Sequence, residues 1–276
     1  MLAAHRADLV ADKTRAINRL RATMLEYFPG LEAAFDWSER QGALRLVTKY
    51  ATPDAIRAAG VEEMTAWLRT HRTYTAKAVA TTALDAAKRQ YTTVPGQHMG
   101  ALLVARLASE VLRLMEEVKE VESQLEARFR VHEHARLLLT IPGFGPTLAA
   151  EFIGATGGDM DLFGSPDRLA AVAGLAPVPR DSGRISGNMK RPRRYDRRLL
   201  RACYMAANVA RQFDAVSRAF YDRKRAEGKT HVQAVLALAR RRIVTVQGVA
   251  GSQVLPWAAA RRASRGWMVC LRAVAR

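Results

Sequence analysis

Apolar residues recur at steps of three and four through most of the chain, and that period predicts a mainly α protein. In the first 28 residues Ile17, Leu20, Met24 and Phe28 keep the step, while Arg15, Arg19 and Arg21 lie on other faces. The result is an amphipathic helix that Pro29-Gly30 ends. Shorter helices fill residues 31 to 99. One follows Thr52-Pro53-Asp54, where Thr52 suits the N-cap and Pro53 the first helical position. Val94-Pro95-Gly96 is a break.

The pattern is most regular from residue 100 to about 130. Val104, Leu107, Val111, Leu114, Val118, Val121 and Leu125 alternate steps of three and four. This seam, with valines and leucines sharing it, predicts a long coiled-coil helix. It pairs with another copy, giving a homo-oligomer, or closes as a hairpin within one chain. The plainer alternative is a long helix packed on its own domain.

Beyond it, LLLTIPGFGPTLAAEFIGA over 137–155 reads as a helix, a turn and a second helix, the pattern of a helix-hairpin-helix. Gly143 and Gly145 permit a tight turn, and backbone N–H groups at the next helix can hold a phosphate. An ordinary helix corner would carry the same string. Ser165-Pro166-Asp167 opens another helix, which Gly174 to Pro179 ends. After the loop RDSGRISGNMKRPRR, one helix buries Leu199, Leu200, Cys203, Ala207 and Ala210. Another, from near Thr230, carries Val232, Val235, Leu236, Ala239 and Ile243. Few strands are expected.

Composition adds a partner class. The 276 residues hold 44 Lys+Arg against 26 Asp+Glu, a net charge of +18. Such a balance favours polyanions: DNA, RNA or an acidic membrane surface. No apolar run reaches the roughly 18 residues that span a bilayer, so a membrane protein is not expected. The first residues, MLAAHRADLVADK, are not a signal peptide. Cys203 and Cys270 make neither a disulfide framework nor a zinc site, and a reducing cytoplasm is the expected location.

The charge is concentrated. Arg180, Arg184, Lys190, Arg191, Arg193, Arg194, Arg197, Arg198 and Arg201 face only Asp181 and Asp196 across this segment. Arginine forks suit phosphate oxygens, and neutralising phosphates makes binding salt-dependent. Ser182 and Ser186 each precede a glycine. Read alone, they are turn serines that bond their own backbone. A serine among arginines can also attack a phosphodiester while the arginines stabilise the developing charge. Tyr195 is a weaker candidate nucleophile, at a helix start with no paired histidine.

Three stretches carry a resemblance. LLLTIPGFGPTLAAEFIGATG, FGSPDRLAAVAGLAPVPRDSG and ISGNMKRPRRYDRRLLRACYMAA, in this order, resemble the C-terminal domain of the insertion sequence 110 family of transposases, also called 116/110/902. The likeness runs over roughly Arg136 to Ile243. The helix over 1–28 is similar to the segment that follows the family's N-terminal catalytic domain, and the heptad helix to the coiled coil between its two catalytic domains.

The resemblance implies DNA transposition and recombination. A RuvC-like domain would supply four DEDD carboxylates for magnesium, a serine would attack DNA, and a structured guide RNA would bridge two DNAs. It assigns the nucleophile to Ser182, with Ser186 as the alternative. The DNA contacts rest on the charge pattern itself, Arg180, Arg184, Lys190, Arg191, Arg193, Arg194, Arg197 and Arg198, with Gly143 and Gly145 from the turn read as a hairpin.

Two departures shape the expected domain plan. The DEDD carboxylates would precede Met1, and Asp8 and Asp12 do not replace them. The chain is thus expected to be a truncated remnant with no metal site and no cofactor of its own, magnesium belonging to the missing domain. After Ile243, the run TVQGVAGSQVLPWAAARRASRGWMVCLRAVAR has no acidic residue and no lysine, and resembles a family member read out of frame. The plan is a helical region over 1–99, a coiled-coil helix over 100–133, a transposase domain over 134–243 and an aberrant tail over 244–276. The alternative function is a non-enzymatic helical nucleic-acid-binding protein. A third reading is a complete recombinase in which the serine domain suffices.

Overall fold

Helices carry most of the backbone in a computed structural model, which describes residues 1–250 other than 160 and 185. The mainly α class expected from periodicity holds: the described residues form twelve α-helices and one two-stranded ribbon. The expected aberrant tail lies, from residue 251 onward, outside the described residues. Contacts divide the chain into two units, Met1–Gln124 and Leu125–Arg276.

The first unit is built on two long helices, α1 (Leu2–Tyr27) and α6 (Gln97–Arg130, whose last residues belong to the second unit). They run antiparallel. At one end Arg6 Nε donates to Glu122 Oε1 at 2.7 Å. At the other, the Tyr27 ring lies so close to Gly100 that a Cβ there would stand 2.8 Å from Cδ1. Between these ends the α6 seam from Val104 to Val121 is buried in one cluster with Leu9, Ile17, Leu20 and Met24 of α1. The seam of α6 therefore lies inside the core cluster of its own unit.

Four shorter helices pack in the same unit: α2 (Pro29–Glu32), α3 (Gln41–Lys49), α4 (Pro53–Thr70) and α5 (Ala76–Arg89). Pro29 ends α1 and opens α2. Thr52 caps α4 as expected, its hydroxyl accepting from Ala55 N at 3.2 Å. Gly60 breaks α4 with φ +64°, a conformation open to glycine and strained for other residues. Tyr27 ties these helices to α1: its hydroxyl donates to Ala51 O at 2.9 Å, and its carbonyl accepts from Gln90 Nε2 at 2.6 Å.

The second unit begins with α7 (Ala135–Thr140), a turn over 141–145 and α8 (Pro146–Thr156). A 3₁₀ turn (Asp161–Phe163) and α9 (Pro166–Val172) follow, with Ser165 capping α9 through Arg168 N at 3.3 Å. Strands β1 (Val178–Pro179) and β2 (Met189–Lys190) pair antiparallel. The unit closes with α10 (Arg197–Phe213), α11 (Ala215–Ala226) and α12 (His231–Ala250). Helix α10 is central, touching α8, α11 and α12. Its buried face is Leu199, Ala202, Cys203, Ala206, Ala207 and Ala210. Alanine at four of these six positions lets neighbouring backbones approach closely. On α12, Val235, Ala239 and Ile243 are buried as the period predicts, but Val232 is exposed in the first turn. Among the described residues no helix is long and apolar enough to cross a membrane.

Candidate nucleic-acid interface

The arginine-rich segment is a closed excursion from the junction of α9 and α10. At its base, Asp196 N donates to Val172 O at 2.8 Å. Beside it Gly174, with φ +68°, packs under Tyr195: a Cβ on Gly174 would lie 2.8 Å from the ring. Asp196 then caps α10, its Oδ1 accepting from Arg198 N and Leu199 N, each at 2.8 Å. The two ends of the excursion are therefore pinned together. Tyr195 is a pedestal here, half-buried, with the Arg191 guanidinium 5.6 Å from its ring centroid.

Farther out, the ribbon pairs Val178 with Lys190 and Pro179 with Met189. Arg180 N donates to Asn188 O at 2.9 Å, and Asn188 N donates to Asp181 Oδ1 at 3.1 Å. These bonds close a loop over 181–187. Ser182 and Ser186 are its second and sixth residues, and both are exposed. Gly187 takes φ +81°, which lets the chain turn back into β2. Among the described residues no hydrogen bond reaches the Ser182 hydroxyl.

The basic residues separate into two kinds. Arg180, Arg184, Lys190, Arg191, Arg193, Arg194, Arg197 and Arg198 are exposed, and none pairs with a carboxylate among the described residues. Their charge is uncompensated. Arg201 differs: it donates to Glu151, a buried carboxylate on α8, and joins α10 to α8. The ninth cation of the segment thus has a structural partner.

The two hairpin glycines also separate. Gly145 is the N-cap of α8, exposed, with nothing within 4 Å of a built Cβ. Gly143 has φ +86° and is taken up by packing against α10. A second tie holds the turn. Arg242 on α12, largely buried, donates to the Pro142 carbonyl and, through Nη1, to Ser217 Oγ at 3.1 Å. Burial pulls its guanidinium down to about 10, with Asp214 and Cys203 opposing, so it stays charged at neutral pH. Sequence reasoning missed this residue. Nothing in the run Arg240-Arg241-Arg242 marks the third as the buried one except its helical phase, one step before Ile243. Burial likewise pushes the Cys203 thiol up to about 12, which leaves it unreactive at neutral pH.

The residues present do not fit a magnesium ion. Among those described, no three His, Cys, Asp or Glu side chains gather as ligands. Asp181 and Asp196 are engaged with backbone N–H groups, whereas magnesium needs carboxylate oxygens converging on it.

Comparison with known proteins places these features. Residues 135–222 match the family described as Transposase IS116/IS110/IS902 family. The chain is 57% identical over 243 residues to the Insertion element IS900 uncharacterized 42 kDa protein of Mycobacterium paratuberculosis, covering 88% of this chain and 61% of that one. It is 44% identical over 243 residues to the Insertion element IS116 uncharacterized 44.8 kDa protein of Streptomyces clavuligerus, with the same two coverages, 88% and 61%. It is 35% identical over 237 residues to the Insertion element IS110 uncharacterized 43.6 kDa protein of Streptomyces coelicolor, covering 86% of this chain and 58% of that protein. The chain therefore spans about three fifths of the length of these relatives. Residues 135–222 thus carry the domain of the Transposase IS116/IS110/IS902 family, and most of the chain is similar in sequence to insertion-element proteins.

Proposed function

We propose that this chain is a DNA-binding part of a transposition enzyme, with Ser182 as the nucleophile and the arginine-rich excursion as its phosphate grip. The observation that carries the reading is the exposed serine, held in a loop whose stem is pinned at Gly174–Tyr195 and Val172–Asp196. The same excursion and the start of α10 carry eight exposed cations that form no salt bridge among the described residues. A structured RNA is the second polyanion in this reading, and the same cations serve its phosphates. Homo-oligomer formation belongs to the proposal as well.

In the reaction, Ser182 Oγ forms a bond to a backbone phosphorus, a P–O bond of the DNA breaks, and the leaving oxygen departs as a hydroxyl. The serine proton goes to a base. Exposed arginines stabilise the charge that gathers on the phosphate oxygens. Among the described residues no base bonds Ser182 in the absence of DNA, and the departing oxygen takes up a proton as it leaves.

That same observation favours a second reading, a non-enzymatic nucleic-acid-binding protein. The two are separated by incubating the chain with element-end DNA, RNA and magnesium, and looking for a protein–DNA adduct that survives denaturation. Catalysis by Ser182 requires an adduct that Ser182→Ala abolishes. An adduct that persists in Ser182→Ala but disappears in Ser186→Ala moves the role to Ser186. Salt-dependent binding with no adduct at all supports the non-enzymatic reading.

A further inference from the structure

Outside the serine loop, arginines from three helices converge on two adjacent aromatic residues of α11. The Arg223 guanidinium lies 5.0 Å from the Phe220 ring centroid and that of Arg241, from α12, lies 4.9 Å from it. Lys224 Nζ is 5.6 Å from the same centroid. One residue on, Arg211 of α10 sits 5.2 Å from the Tyr221 ring, and the Tyr221 hydroxyl hydrogen-bonds His231 Nδ1 of α12 at 2.8 Å.

The charges in this cluster are not equally neutralised. Lys224 bonds both carboxylate oxygens of Glu227 at 2.8 Å. Arg223 and Arg241 are exposed and make no salt bridge among the described residues, although Arg223 lies within electrostatic reach of Glu227. Two guanidinium groups on different helices thus lie within cation–π range of one ring, each with its charge available to a phosphate. Planar forks favour a phosphate oxygen pair over a compact anion. The Phe220 ring is half-buried and flanked by cations, so it orients the arginines and leaves base stacking aside.

We infer that Arg223 and Arg241, organised by Phe220, form a second contact for the phosphodiester backbone of a nucleic acid, made of residues distinct from those of the serine loop. As a phosphate contact it positions the nucleic-acid backbone and reads no sequence. It rests on the reading of the chain as a nucleic-acid-binding protein. Residues 135–222 carry the family match, so both arginines lie beyond it. DNA and RNA share the chemistry this pair would take.

The test is a salt titration of the full chain with labelled duplexes of unrelated sequence, one DNA and one RNA. Arg223→Gln with Arg241→Gln should lower affinity for every sequence alike. It should also reduce the slope of log affinity against log salt by about 2, since each phosphate neutralised contributes roughly 0.9. The charge-keeping pair Arg223→Lys with Arg241→Lys should restore most of the slope. Phe220→Leu should keep the slope and weaken binding, since the charges remain while the ring that places them is gone. An effect in the DNA arm only, or the RNA arm only, identifies which backbone uses the site. An unchanged slope in the double glutamine variant, in both arms, overturns the inference. The parallel variant Arg193→Gln with Arg194→Gln bears only on the serine loop, so failure there alone counts against the proposed function and leaves the Arg223–Arg241 site standing.

Discussion

Gly143 and Ala206 are in backbone contact: a Cβ placed on Gly143 would stand 2.1 Å from the Ala206 carbonyl oxygen and 3.0 Å from Ala210 N. The hairpin turn between α7 and α8 is thereby seated on the small-residue face of α10. Gly143→Ala must force these backbones apart, and it also places a side chain at φ +86°. We expect destabilisation by about 3 kcal/mol, combining overpacking and left-handed strain. Gly145→Ala meets nothing and should cost no more than about 1 kcal/mol, the difference between glycine and alanine at an N-cap. Urea unfolding followed by circular dichroism measures both. Equal effects of the two substitutions would contradict the packing described for Gly143.

Arg201 and the loop arginines should behave as opposites. Arg201→Ala removes one partner of the buried Glu151 and should destabilise the second unit by about 1 kcal/mol, less than a fully buried pair because Arg201 is half-exposed. Its effect on the salt dependence of nucleic-acid binding should be small. Arg193→Ala with Arg194→Ala should leave the unfolding midpoint nearly unchanged and lower the salt slope by about 2. Measuring midpoint and slope on the same preparations decides the matter. A slope change in Arg201→Ala as large as that of the loop pair would remove the division between structural and binding cations.

Much of this division was beyond reach of the sequence. Thr52-Pro53 and Ser165-Pro166 announce helix starts through local chemistry alone, and both caps form. The seam of α6 is equally plain, because a helical period is a property of one segment. Its partner is not, since the same heptads suit another copy or α1, and only packing selects between them. Arg201 reads as one more cation in a basic run, yet its position one turn into α10 brings it to Glu151, 50 residues earlier. Arg223 and Arg241 are far apart in the chain and meet at one ring only through the turn between α11 and α12. Sequence patterns carry local periodicity and net charge. They do not carry the long-range neighbours that decide whether a charge is neutralised.

Cys203 gives a pH prediction with a definite sign. Its thiol is almost completely buried, and burial raises its titration from an ordinary 9.0 to about 12 in the folded chain. Below pH 9 both states hold the proton and the buried thiol contributes its full stability. Between 9 and about 12 the unfolded chain releases a proton that the folded chain keeps. Stability therefore falls with rising pH, by at most about 1.4 kcal/mol per unit. Cys203→Ala lacks this dependence. The stability difference between the native chain and Cys203→Ala should be constant up to pH 9 and shift against the native chain above it. Arg242 is present in both chains, and its electrostatic coupling to the thiol is part of the difference measured. A difference that stays flat to about pH 11 would mean the thiol is reached by solvent.

The antiparallel pairing of α1 and α6 is tested at Leu20 and Leu25, which differ only in the face they occupy. Leu20 is fully buried in the cluster that contains the Val104 to Val121 seam, and Leu25 is 55% exposed. Leu20→Ala should cost about 3 kcal/mol through reduced burial and the cavity left behind. Leu25→Ala should stay within about 0.5 kcal/mol. The pairing also predicts a change in association. With Leu20 truncated, the seam of α6 is partly uncovered, and valines and leucines spaced for another helix become available to a second copy. Sedimentation velocity should then show greater self-association in Leu20→Ala than in the native chain at the same concentration, and no change in Leu25→Ala. If Leu20→Ala is neutral in stability and association alike, α1 does not cover the seam, and the long helix has another partner.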